Sequence, residues 1–297
     1  MNRVTAILGT KYPIIQGAMQ YVANGKLAAA VSEAGGLGVV AAGGISSEQL
    51  ITEINIVRKL TQKQFAVNLN LQYKNVPELV KTVIEQGVKI ITTGAGTPKY
   101  YMDDLKKAGI KVIPVVPNLK IAQKMEKLGV DAVIAEGMEA GAHIGQNSSL
   151  VLWPQIVQNL SIPVIAAGGI ATRAGVKAAF DLGCEGVQSG TIFSVCSESP
   201  VSDQWRETID QNNNEPATLP LGMPAIRVLN TARAQEITQK NLSQAELMNN
   251  LNQGFMTAFK DKNVENGVIF AGEDVNLIHQ KQSAQQIINE LAQGLEK

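Results

Sequence analysis

Residues 135–145 read Ala-Glu-Gly-Met-Glu-Ala-Gly-Ala-His-Ile-Gly and set His143, one of two histidines in the chain, inside a glycine-rich loop. The loop follows the apolar run Asp131-Ala132-Val133-Ile134. Glycine lets a flat ligand lie close to the backbone, and an imidazole exchanges protons near neutral pH, so the loop has the make-up of an active-site rim. The competing reading is a structural histidine satisfied by backbone, but Gly141, Ala142 and Gly145 offer it no apolar pocket. His279 sits in a polar stretch and reads as a surface residue. No His/Cys/Asp/Glu cluster with ligand spacing surrounds His143, so no metal site is expected.

Two further stretches form a pair, Ala167-Gly168-Gly169-Ile170 and Gln188-Ser189-Gly190-Thr191. Backbone N–H groups from both, with a nearby helix N-terminus, suit a phosphate without any cationic side chain, and neither stretch holds Lys or Arg. Taken singly, either is equally a tight turn; together, after successive strands, they point to a phosphate site. Gly17-Ala18-Met19 and Asn68 are small or amide-bearing, as contact with a flat ring requires. Alternatively Asn68 is a turn residue and Met19 packs in the core.

The elements that must position these residues are legible as short apolar runs rich in β-branched residues. They cover 12–17, 38–42, 65–70, 89–93, 111–115, 131–135, 163–168 and 186–190. The runs do not alternate polar with apolar, as expected of parallel strands covered on both faces. Segments of helical period lie between them, such as 47–60, 76–86, 118–128 and 173–182. Eight strand–helix units predict a (β/α)8 TIM barrel, with a doubly wound open sheet as the alternative. In such a barrel the loops at the C-terminal strand ends hold the active site, which is where the chemistry-bearing stretches fall.

After Ser194 the pattern breaks. Residues 199–275 are richer in Asn, Gln and Glu, show no strand run and contain helical stretches such as 243–259. We therefore expect a small helical lobe inserted after strand eight. The barrel would comprise 1–198 and 276–297, with a last helix at 283–295 closing it. Trp205, Leu229, Leu247, Phe255 and Phe259 suit either lobe core or the wall of an apolar tunnel.

Composition bounds the class. The chain has 297 residues, 45% hydrophobic, enough for one large core and too apolar for disorder. With 26 basic and 26 acidic side chains, nothing recommends a nucleic acid or a membrane surface as partner. Two cysteines, Cys184 and Cys196, fit a reducing compartment better than a disulfide framework. Neither a charged-then-apolar leader at residues 1–12 nor a spanning-length apolar run is seen, and a soluble, cytoplasmic protein is expected.

The strand tips together resemble the flavin-dependent barrel family containing the FMN-type enoyl-acyl-carrier-protein reductases and the nitronate monooxygenases (2-nitropropane dioxygenases). The matching stretches include Tyr12-Pro-Ile-Ile-Gln-Gly-Ala-Met19, Ala34-Gly-Gly-Leu-Gly38, Ala66-Val-Asn-Leu-Asn70, Thr92-Thr-Gly-Ala-Gly96 and Ile113-Pro-Val-Val-Pro117. They continue through residues 135–145, Ile162-Pro-Val-Ile-Ala-Ala-Gly-Gly-Ile170 and Gln188-Ser-Gly-Thr-Ile-Phe193, and thin in the lobe to Arg227-Val-Leu-Asn230 and Ile269-Phe-Ala-Gly272. The stretches at 92–96, 113–117 and 135–141 are most similar to the reductase branch.

The resemblance implies bound FMN and NADH or NADPH as electron donor. It implies cofactor contacts from Gly17, Ala18, Met19, Asn68, Glu136, Gly141, Ala167, Gly168, Gly169, Gln188, Ser189, Gly190 and Thr191, with His143 as the active-site histidine. The activity it implies is hydride transfer from NAD(P)H through the flavin to the β-carbon of a trans-2-enoyl thioester, as in fatty acid synthesis. The alternative is oxidation of alkyl nitronates with O2. From a different class, a barrel that binds a phosphorylated metabolite without catalysis also stays open.

Three features depart from the family pattern. Ala142 stands where a second glycine usually precedes the histidine, and its methyl is tolerable if φ is negative. Glu273 stands where the reductase branch commonly has glutamine, adding charge near the lobe. The lobe is also short for that branch. Residues 199–275 carry six Lys/Arg against ten Asp/Glu, a net −4, which sits poorly with docking of an acidic acyl carrier protein. The substrate is therefore an acyl thioester, on acyl carrier protein or coenzyme A, or a free small molecule; a homodimer is left open.

Overall fold

A computed structural model describes residues 2–223, 225–279 and 281–296. Eight parallel strands form the barrel wall: β1 (Ile14–Gln16), β2 (Gly38–Ala41), β3 (Phe65–Asn70), β4 (Ile90–Gly94), β5 (Lys111–Val116), β6 (Val133–Glu136), β8 (Val164–Ala167) and β9 (Gly186–Ser189). A two-residue strand, β7 (Ala142–His143), lies outside the wall. The sheet runs in the order β1-β9-β8-β6-β5-β4-β3-β2. Leu37 nearly closes the ring: its N–H donates to Ile14 O at 2.8 Å and its carbonyl accepts from the Gln16 N–H at 3.0 Å. The TIM barrel expected from the eight runs is the fold observed, with strand ends moved by two residues or fewer.

Each strand buries both faces, which is why the runs are apolar without alternation. In β8, Ile165 and Ala167 join the interior cluster of Ile15, Leu37, Val39, Ala66, Ile90, Ile113 and Ile134, while Val164 and Ala166 pack outward under the helices. Val4 and Leu8 of the helix Arg3–Leu8 belong to the same interior cluster and close the barrel floor. Side-chain caps start the surrounding helices at Asn24, Ser46, Asn118 and Thr172. At Gly38 a Cβ would fall 1.8 Å from Ala28 O, so the helix Gly25–Glu33 rests directly on the backbone of β2. The helix Ala284–Ala292 returns against Gly25–Glu33 and Arg173–Asp181, as the sequence suggests.

The lobe differs from the all-helical reading. Besides the helices Asp203–Asp210, Ala232–Thr238 and Gln244–Phe259, it contains β10 (Thr218–Leu221) and β11 (Ile226–Leu229), paired antiparallel. Both strands are four residues long and interrupted by Pro220 or Arg227, so no apolar periodicity announces them. β11 also pairs with β7, matching Ile226 with His143 and Arg227 with Ala142. Cys184 and Cys196 are free and buried, and burial pushes both thiols up to about 12. Among the described residues no helix is long and apolar enough to cross a membrane.

Candidate active site

Parallel register brings the C-terminal strand ends to one rim. Asn68 pairs with Thr92, Glu136 with Ala167, Ala167 with Gln188 and Gln16 with Ser189. The rim opens into a cavity of about 490 Å³, within the range of roughly 300–1,000 Å³ typical of small-molecule sites. All fourteen residues singled out in the sequence line it: Gly17, Ala18, Met19, Asn68, Glu136, Gly141, His143, Ala167, Gly168, Gly169, Gln188, Ser189, Gly190 and Thr191.

Turns at the ends of β1, β8 and β9 meet backbone to backbone. The Gly17 N–H donates to Ser189 O at 2.7 Å. Gly168 and Gly169 adopt φ of 97° and 74°, left-handed conformations that favour glycine. A Cβ at Gly168 would stand 2.9 Å from Gly137 O, whereas one at Gly190 would meet nothing within 4 Å and would project into open space. Among the described residues, no acceptor takes the N–H groups of Gly168, Gly169 or Gly190. The Ser189 hydroxyl is buried without a partner among the described residues. Free N–H donors, an orphan hydroxyl and room beside glycine fit a phosphate group.

Farther round, Asn68 Nδ2 donates to Thr92 Oγ1 at 2.9 Å, leaving the amide oxygen without a partner among the described residues. Glu136 ends β6 in the wall, and burial pushes its carboxyl up to about 7. Asp274, which the sequence reading missed, also lines the cavity; burial pushes it up to about 6, partly opposed by a hydrogen bond with the Thr191 hydroxyl. Its only sequence signal was its position two residues beyond Gly272.

His143 stands on β7 at the cavity mouth, solvent-reachable but flanked by enough protein to hold its pKa below the ordinary value. Burial thus favours the uncharged imidazole. Its loop is strained: Ala142 has φ of 60°, so the condition under which its methyl is tolerable, a negative φ, is not met. Glu273, the other charged departure, does not stand alone, because its Oε1 lies 2.8 Å from the Arg227 guanidinium.

The lobe supplies an apolar side of the cavity from Trp205, Ile226, Met248, Phe255 and Phe270. Phe255 stacks on Phe270 at 5.5 Å and meets Trp205 edge-on at 6.0 Å. Of the five apolar residues considered for a tunnel, Trp205 and Phe255 reach the cavity, while Leu229, Leu247 and Phe259 do not.

A barrel rim with free backbone N–H groups, small residues and one imidazole fits a flavin-dependent oxidoreductase, the class to which the following similarities assign the chain. Within it, the chain belongs to the nitronate monooxygenase family, whose model matches residues 1–294. FabK from Thermotoga maritima superposes with a TM-score of 0.94 at 38% identity, covering 99% of this chain and 96% of that one. A probable nitronate monooxygenase of Staphylococcus aureus strain JH9 is 35% identical over 254 residues, 70% of this chain and 72% of the relative. The (3aS,4S,5R,7aS)-5-hydroxy-7a-methyl-1-oxo-octahydro-1H-indene-4-carboxyl-CoA dehydrogenase of Rhodococcus jostii RHA1 is 33% identical over 231 residues. That match takes 77% of this chain and spans 65% of the dehydrogenase.

Proposed function

We propose that this chain is an FMN-dependent reductase acting on trans-2-enoyl thioesters, with NADH or NADPH as electron donor. The observation that carries the reading is the charge of the cavity wall. Among the described residues it holds the carboxyls of Glu136 and Asp274, the imidazole of His143, and neither Lys nor Arg. An alkyl nitronate is an anion and would enter without a cationic partner, whereas an enoyl thioester is neutral and needs none. The aromatic side formed by Phe255 and Phe270 suits a hydrocarbon acyl chain. Similarity to FabK over nearly the whole chain and to a carboxyl-CoA dehydrogenase supports the same substrate class.

FMN, when bound, supplies hydride transfer between the nicotinamide and the enoyl β-carbon. The chain's own residues bind and orient. Gly168, Gly169, Ser189, Gly190 and Thr191 would hold the phosphate, and Gly17, Ala18, Met19, Asn68, Glu136, Gly141, Ala167 and Gln188 the remainder of the cofactor. Charge that develops on the thioester oxygen calls for a donor at the mouth, and the α-carbon calls for a proton. His143 is placed for one of these tasks. A lobe of net charge −4 sits poorly with docking of an acidic acyl carrier protein, and equally with the phosphates of a coenzyme A ester.

Nitronate oxidation is the second reading, favoured by the family description and the Staphylococcus relative. An anaerobic assay separates the two. Consumption of NADH or NADPH with crotonyl thioester is expected; no consumption, with oxygen-dependent oxidation of propionate-3-nitronate, would replace the first reading by the second.

A further inference from the structure

His143 is carried by a strand of two residues whose register with β11 consists of two pairs. So short a ladder is a weak support for a loop containing a left-handed alanine, and other contacts must hold it. The structure shows them. Arg227, on β11, is buried and spreads its guanidinium over three segments: Nη1 donates to Thr218 Oγ1 at 3.1 Å, Nη2 donates to Met138 O at 3.0 Å, and Nη2 forms an ion pair with Glu273 Oε1 at 2.8 Å. Met138 begins the loop that bears His143. Glu273 lies in residues 271–274, a strap crossing the same loop.

The strap is joined to both sides of the cavity. Its Glu273 N–H donates to Glu139 O at 2.8 Å, and the Gly272 N–H donates to Thr191 Oγ1 at 3.0 Å. The fit at Gly141 is so close that a Cβ there would fall 2.7 Å from the Ala271 carbonyl carbon. Loop, lobe strand and strap thus form one junction, closed on its open side by the Arg227–Glu273 ion pair.

We infer that the Arg227–Glu273 pair is a positioning device for His143, clamping the loop 137–145 between β11 and the strap so that the imidazole stays at the cavity mouth. The inference rests on the reading of His143 as a working group of this site. Arg227 and Glu273 touch neither substrate nor cofactor on this account; they act through the loop. Glutamine at 273 would keep an acceptor for Arg227, whereas alanine would not.

The test compares Glu273→Ala with Glu273→Gln in the protein as purified. One readout is amide exchange at Ile144, whose N–H donates to Ala225 O at 3.1 Å just beyond β7. The other is NMR titration of the His143 ring, assigned against a His279→Gln variant. Charged groups around the junction are Glu139 on the loop, Arg227 on β11, Glu273 on the strap, and Glu136 and Asp274 in the cavity wall. Loss of the clamp lets the loop carry the ring away from the protein that flanks it, so Glu273→Ala should speed Ile144 exchange on the order of tenfold and move the titration up toward the free-histidine value. Glu273→Gln should leave both near wild type. Removing a negative charge alone has the opposite sign, shifting the titration down in both variants. Unchanged Ile144 exchange in Glu273→Ala, or a downward titration shift shared by the two variants, overturns the inference. Neither readout is turnover, so failure of the reductase reading and failure of the clamp are separately visible.

Discussion

A Cβ on Gly17 would stand 3.3 Å from the Cα of Gly190, so the turns that end the first and eighth barrel strands touch through bare backbone. Both line the cavity, but an added Cβ would point differently: at Gly17 into protein, 3.2 Å from Ser189 O, and at Gly190 into open space. Gly190→Ala should therefore fold normally and weaken FMN binding about tenfold, equivalent to about 1.4 kcal/mol. Gly17→Ala should lower stability by about 1–3 kcal/mol through overpacking. Flavin fluorescence titration and urea unfolding of both variants check the contrast; unweakened flavin binding by Gly190→Ala would remove that glycine from the phosphate cradle.

His143→Ala should retain FMN, because the fourteen cavity residues are spread over many strand ends and the imidazole is one group at the mouth. Turnover of an enoyl thioester should fall by a factor of about 10²–10⁴, the usual share of a positioned proton donor or acceptor. Steady-state kinetics with matched flavin content decides. Undiminished turnover would take His143 out of the chemistry.

Glu136 makes stability of the flavin-free protein depend on pH. Its carboxyl is raised to about 7 by burial, so between the unfolded value near 4.5 and pH 7 the folded state binds the extra proton. Stability from this group therefore falls as pH rises through that window, by about 3 kcal/mol at most and less where water enters the cavity. Asp274, raised to about 6, acts in the same sense over a lower window. His143, held below its ordinary value, acts oppositely: stability falls as pH drops below about 6.5. Denaturant unfolding of wild type and Glu136→Gln at pH 5 and pH 8 isolates the Glu136 share. The variant should gain on wild type at pH 8; equal pH dependence of the two would show that Glu136 ionises as freely folded as unfolded.

Ala142 offers a stability prediction. A left-handed alanine costs roughly 1–2 kcal/mol, and replacing it with glycine relieves that while adding about 0.4–1 kcal/mol of unfolded-chain entropy. Ala142→Gly should then stabilise by between about 0 and 1.6 kcal/mol, whereas Ala142→Val should destabilise by about 1–3 kcal/mol. Urea midpoints measure both. A valine variant as stable as wild type would mean that the loop readily adopts another conformation.

The barrel was legible because its information is local. Eight apolar runs and the glycines after them are contiguous in the chain, and a parallel sheet buried on both faces leaves that pattern wherever it occurs. The rim residues followed, since strands of one barrel end on one side. The lobe hairpin was not legible: β10 and β11 owe their pairing to contacts with each other and with β7, not to periodicity. Nor could the sequence say that Glu273 meets Arg227, that Asp274 reaches Thr191, or that Trp205 and Phe255 face the cavity while Phe259 does not. Arg227 and Met138 are 89 residues apart, and Gly272 and Thr191 are 81 apart. Sequence by itself determined the wall and the chemistry offered at its rim. Tertiary structure alone decided which distant groups share that rim, because only closure of the chain sets their separations and so their charge, exposure and strain.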